Sequence, residues 1–292
     1  MHSRRSLIKH FAMGTAAAMA APMLSYASTN NDRKTPNLKG NINHSVSRWT
    51  FNSLSLDDLC KAVKQIGFSA IDLVGPKDWP TLQKHGIYSS MCYTAGDNNL
   101  NNGLNNPVYH EKLISEYLEV IPIMAKAGYK NLICFSGRRD GMDDETGMKN
   151  CAIALKKILP VAEKNNVTMV MELLNSKIDH KDYMCNHIEW GAELCTRIDS
   201  EHFKLLYDIY HMQIQEGDII RNITTHHKHI AHFHTGGVPG RHEINNTQEL
   251  NYPAIMKAIA DTGYKGYVAQ EFVPTKKHPL DSLKEAIHIC DV

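Results

Sequence analysis

Thr168-Met169-Val170-Met171-Glu172 is a short run suited to a buried strand that ends on a carboxylate. The pattern returns three times downstream. Leu205-Leu206-Tyr207-Asp208 ends on a second carboxylate, Ile230-Ala231-His232-Phe233-His234 on imidazoles, and Tyr267-Val268-Ala269-Gln270-Glu271 on a third carboxylate. Upstream, Val46–Phe51, Ala70–Val74, Tyr88–Tyr93 and Asn131–Ser136 read as four earlier strands, for eight in all. Helical patterns lie between them. One opens at Ser55, with Asp58 at capping-box spacing, carries Leu56, Leu59, Cys60, Val63 and Ile66 on one stripe, and stops at Gly67. Others are Glu111–Ala127, Met148–Asn165, Tyr252–Thr262 behind the cap Asn251, and Leu280–Cys290.

Strands that alternate with helices pair in parallel through right-handed crossovers. Eight such units within residues 45–292 predict one α/β domain, a closed (β/α)8 barrel, or TIM barrel. The first strand–helix turn has no Gly-x-Gly-x-x-Gly, which argues against a dinucleotide fold. The 292 residues carry a formal net charge of +1 and no basic block, so a nucleic-acid partner is not expected.

The N-terminus reads as an address. Arg4-Arg5 precedes an Ala-rich apolar run that ends at Ser25-Tyr26-Ala27, a small-x-small cleavage pattern. Residues 1–27 are therefore expected to be a twin-arginine-type signal peptide, recognised by the twin-arginine export machinery and directing the protein to the periplasm. The alternative is an uncleaved amphipathic anchor. Residues 28–44 read as a solvated linker. The seven cysteines include no C-x-x-C pair and read as buried, unpaired residues.

In a barrel of this kind, function gathers at the C-terminal ends of the strands. Four consecutive strands thus aim Glu172, Asp208, His234 and Glu271 at one mouth. Three carboxylates brought together would repel, and a divalent cation removes the conflict. Mixed oxygen and nitrogen donors favour Mn²⁺ or Mg²⁺, with Co²⁺ or Zn²⁺ as alternatives. His232 is read as pointing away from His234, as a hydrogen-bonded core or surface histidine. His226, His227 and His229 lie before the seventh strand, on the opposite side, and read as a solvated helix end. The Asn-rich stretch Asn98–Asn106 is a loop on the functional face, and Arg138-Arg139-Asp140-Gly141 reads as a turn.

Longer stretches carry a resemblance. Residues 207–218, beginning Tyr207-Asp208-Ile209-Tyr210-His211, are similar to a segment of hydroxypyruvate isomerases, as are Glu172-Leu173-Leu174-Asn175, Pro239-Gly240-Arg241-His242-Glu243, Glu249-Leu250-Asn251-Tyr252 and Gln270-Glu271-Phe272. These belong to the xylose-isomerase-like barrels, which include ketose 3-epimerases and inosose dehydratases. The likeness is sharp from about residue 168 onward. It implies that Glu172, Asp208, His234 and Glu271 hold the metal, with Glu172 and Glu271 also moving the proton. It implies that His211, Arg241 and Glu243 face the substrate, a small keto acid or sugar.

The implied activity is that of an intramolecular oxidoreductase, converting hydroxypyruvate to tartronate semialdehyde through an enediolate. Where those isomerases commonly have glutamine, this chain has His234, which is more like the epimerases. A ketose 3-epimerase, or a keto-sugar lyase or dehydratase, is the rival activity, and a sugar-binding barrel is the non-enzymatic one. Apurinic endonuclease chemistry would need more metal ligands and a basic groove than the sequence offers. Assembly into a homo-oligomer is compatible with all of these.

Overall fold

A computed structural model of the chain describes residues 37–96 and 100–292. The expected leader, most of the expected linker, and Asn98 and Asn99 of the Asn-rich loop lie outside these residues.

The eight strands are β1 (Asn43–Ser47), β2 (Ala70–Asp72), β3 (Tyr88–Ser89), β4 (Asn131–Cys134), β5 (Thr168–Glu172), β6 (Phe203–Asp208), β7 (Ile230–Thr235) and β8 (Tyr267–Gln270). Every pairing is parallel, in the order β3-β2-β1-β8-β7-β6-β5-β4. The seam between β3 and β4 closes through one residue. Cys92 bridges to Leu132, donating its N–H to the Asn131 carbonyl at 2.8 Å and accepting from Ile133 N at 2.9 Å. The barrel expected from the sequence is therefore the barrel found.

Between the strands run α1 (Leu56–Ile66), α2 (Trp79–His85), α3 (His110–Lys126), α4 (Asp144–Lys164), α5 (Ile188–Ile198), α6 (Ile209–Gln215), α7 (Ile219–His226), α8 (Tyr252–Asp261) and α9 (Pro279–Cys290). Their ends follow the local chemistry. Ser55 caps α1 by accepting from Asp58 N, and Gly67 closes it at φ +113°, where a side chain would strain the backbone. Asn251 caps α8 by accepting from Ala254 N.

Side-chain alternation then divides each strand between two cores. On β5 and β6, Met169, Met171, Leu205 and Tyr207 pack outward under the helices. Val170 and Leu206 join Met91 and Ile133 in a separate cluster inside the barrel. The next inward positions beyond Val170 and Leu206 are Glu172 and Asp208, which delivers them to the mouth.

Three expectations need correction. The first strand begins three residues earlier than expected and ends at Ser47, because the chain folds over the mouth and Trp49–Phe51 becomes a 3₁₀ turn despite its strand-prone residues. The third keeps regular pairing only over Tyr88–Ser89. His232 does not point away from His234. Residues two apart on a strand share a face, so both rings enter the barrel and Phe233 points outward. His232 is fully buried. The His226–His229 stretch closes α7 and a 3₁₀ turn, as expected. All seven cysteines are free and buried.

Candidate metal centre

Glu172, Asp208, His234 and Glu271 each offer a ligand atom, and these four atoms all lie within 4.8 Å of one another. His234 Nδ1 is 2.7 Å from Glu271 Oε2, 3.2 Å from Glu172 Oε1 and 3.8 Å from Asp208 Oδ2. It is aligned with none of them as a hydrogen bond. The strands set this convergence: Asp208 faces His234 in the β6–β7 register, and Glu271 N donates to the Thr235 carbonyl beside His234.

Two of the three carboxylates are restrained by different devices. Asp208 is the N-cap of α6, its Oδ1 accepting from His211 N at 3.0 Å, which leaves Oδ2 for the cluster. Glu271 Oε1 accepts the Trp49 indole N–H at 2.6 Å, which leaves Oε2. Arg241 spans both, its Nη2 lying 3.1 Å from Asp208 Oδ2 and 2.6 Å from Glu271 Oε2. The guanidinium is sandwiched 5.3 Å from the Trp49 ring and 5.1 Å from the Tyr210 ring.

The loop that carries Arg241 is backbone-limited. Arg241 itself sits at φ +59°, and a Cβ on Gly237 would come within 2.3 Å of the Glu243 carbonyl. The Gly-rich sequence after His234 is what lets this loop fold back onto the mouth.

Burial drives the electrostatics. It pushes Asp208 up to about 7, against the pull of Arg241. Burial would raise Glu271 too, but His234 and Arg241 outweigh it and hold that carboxyl well below its usual range. Burial would lower His234, yet Glu271 and Asp72 outweigh it and favour the imidazolium. The lone pair that takes this proton is the one a metal would take. With the imidazole neutral, the carboxylates outnumber the one guanidinium and leave net negative charge in a buried pocket, which a divalent cation would offset. The donor set fits such an ion.

His211 adds a donor. Its Nδ1 accepts from Asn175 Nδ2 at 2.6 Å, and the orientation of that amide is fixed because Asn175 Oδ1 takes the N–H groups of Ile178 and Asp179. The imidazole proton is therefore assigned to Nε2, which is buried, unpartnered and 3.7 Å from Asp208 Oδ2. Burial holds the ring neutral, with its pKa well below the usual range.

Of the residues implied to face the substrate, the structure brings His211 and Arg241 to the centre and ties Glu243 elsewhere. Both Glu243 oxygens are engaged, by Thr275 N and Oγ1, Lys276 N and Ser282 Oγ. It anchors the Arg241 loop to α9 and to the segment before it. Arg139 likewise serves the turn after β4, pairing with Asp144.

Sequence reading missed Trp49, Tyr210 and Asp72 as members of this site. It also missed His180, whose ring lies 5.1 Å from that of His211. Asp72 had a signal, a carboxylate ending an apolar strand in the same way as Glu172.

The chain matches the xylose isomerase-like TIM barrel family over residues 60–290 and belongs to that family. The 2-oxo-tetronate isomerase of Cupriavidus necator is 32% identical over 129 residues, 44% of this chain and 47% of that protein. The match thus spans about half of that relative's length. The hydroxypyruvate isomerase of Escherichia coli is 24% identical over 226 residues, covering 72% of this chain and 84% of that one. Among solved structures, one titled AP endonuclease, family 2, from Brucella melitensis has a TM-score of 0.75 at 20% identity, covering 83% of this chain and 97% of that one. At that identity the likeness speaks for the fold alone.

Proposed function

We propose that this chain is a divalent-metal-dependent isomerase of a small 2-keto acid or keto-sugar, with hydroxypyruvate to tartronate semialdehyde as the leading reaction. The observation that carries the reading is the convergence of four donor atoms with the unpartnered Nε2 of His211 and with Arg241. The names of the relatives support the substrate class.

A bound divalent cation would polarise the substrate carbonyl and offset negative charge developing on its oxygens. The protein's own groups do the rest. Glu172 or Glu271 takes a proton from the hydroxyl-bearing carbon as general base, giving an enediolate. The proton it has taken is returned to the neighbouring carbon with the help of the second glutamate, and the hydroxyl proton moves between the two oxygens, so the carbonyl shifts by one position. His211 Nε2–H donates to the oxygen that gains charge. Arg241, whose Nε is buried and unpartnered, meets the substrate carboxylate.

A ketose 3-epimerase is the second reading, favoured by His234 at the seventh-strand position. The same two glutamates could remove and return a proton at a single carbon. A panel of hydroxypyruvate, 2-oxo-tetronate, free ketoses and keto-sugars, offered to the Mn²⁺-loaded protein, separates the two. Carbonyl migration on a keto acid supports the first reading, and inversion at one ketose carbon the second. Binding without turnover of any of them would leave a sugar-binding barrel.

A further inference from the structure

Asp72 ends β2 inside the barrel, fully buried, with its carboxylate held from several sides. Its Oδ2 lies 2.6 Å from His234 Nε2, across 162 positions of sequence. Its Oδ1 accepts from Ser90 Oγ at 2.8 Å, and that hydroxyl is 2.5 Å from Ser45 Oγ. His232 Nε2 is 3.1 Å from the same Oδ1, without the alignment of a hydrogen bond. The donation by Ser90 and the 2.6 Å contact identify a hydrogen-bonded carboxylate here, rather than a second cation site built from Asp72, His232 and His234.

A neutral imidazole has one N–H, and a carboxylate can only accept. Asp72 therefore keeps the His234 proton on Nε2, and the Nδ1 lone pair then faces Glu172, Asp208 and Glu271. We propose that Asp72 is a positioning residue that fixes the tautomer and ring orientation of His234, and so sets the affinity of the centre for its cation. The proposal rests on the reading of the four residues as a metal site. An amide at position 72 could turn its N–H₂ toward Nε2 and move the imidazole proton to Nδ1, which would block the ligand atom. Outer partners of this kind are worth 10- to 100-fold in metal affinity.

The test has two independent readouts. Mn²⁺ affinity is measured by electron paramagnetic resonance of the free ion for wild type, Asp72→Asn and Asp72→Ala. The His234 ring is located in crystals of the metal-free wild type and of the near-isosteric Asp72→Asn, the variant better able to fold. We expect affinity lower by about 10- to 100-fold in the variants, and a His234 ring turned away from its wild-type orientation in Asp72→Asn. Wild-type affinity in a folded variant, even one with a lowered melting temperature, would overturn the proposal. An unmoved ring with an unchanged hydrogen-bond pattern would do the same. A wild type that takes up no divalent cation would sink the metal reading itself, while the metal-free crystals still decide whether Asp72 holds the ring.

Discussion

Trp49 donates its indole N–H to Glu271 Oε1 at 2.6 Å, joining residues 222 positions apart just beyond the ends of the paired strands β1 and β8. The bond occupies one oxygen of Glu271 and turns the other toward His234 and Arg241. A face of the same ring stacks on the Arg241 guanidinium. Trp49→Phe keeps an aromatic face and removes the N–H. A hydrogen bond to a charged group is worth about 1.5–3 kcal/mol, so kcat/KM should fall roughly ten- to a hundredfold. Trp49→Ala, which also loses the stacking, should fall further. Steady-state kinetics at saturating Mn²⁺ checks both, and equal activities for wild type and Trp49→Phe would show that the bond orients nothing of consequence.

Glu243 makes a stability prediction rather than a catalytic one. Its carboxyl is held near 2, because the Thr275 N–H and the Ser282 and Thr275 hydroxyls outweigh the effect of burial. A carboxyl depressed on folding contributes stability above its unfolded value and loses it as pH falls toward the folded value. The advantage of wild type over Glu243→Gln in urea unfolding should be complete above about pH 5 and shrink between pH 4.5 and 2. Glu243→Ala, leaving several buried donors unpaired, should cost about 2–4 kcal/mol at pH 7. A pH-independent difference between wild type and Glu243→Gln would refute the assignment.

The N-terminal address yields a separate test. We propose that Arg4-Arg5 with the Ala-rich run directs export of an already folded protein, with its metal loaded beforehand. Replacing both arginines by lysine should retain the protein in the cytoplasm, as read by cell fractionation. Unchanged export of that variant would remove the twin-arginine reading and leave the barrel unaffected.

The sequence reached furthest where a local rule had one solution. Apolar runs ending on Glu172, Asp208, His234 and Glu271 marked the mouth because a strand delivers its last inward residue there. Ser55, Gly67 and Asn251 marked helix ends because caps are local hydrogen-bond problems. What stayed hidden depends on distance in the chain. Asp72 meets His234 only once the barrel closes, and Trp49 reaches Glu271 only after an apparent strand becomes a turn. Glu243 looked like a member of a substrate loop because nothing local reveals that Thr275, Lys276 and Ser282 consume its oxygens. The misreading of His232 had a different origin, since the two-residue period of a strand places it on the same face as His234.

The central claim is that Glu172 and Glu271 move the proton as well as holding the ion. Gln keeps the side-chain size and one oxygen donor, so much of the coordination survives in Glu172→Gln and Glu271→Gln. The decisive measurement is exchange of the substrate's α-proton with deuterated water, alongside turnover, for wild type and both variants at matched metal occupancy. Wild type should exchange or internally transfer the proton. Either variant should lose 10²- to 10⁴-fold in rate, or roughly 3 to 5 kcal/mol of barrier, even with the metal restored in excess. Equal rates in all three proteins would contradict the account and reduce the glutamates to ligands.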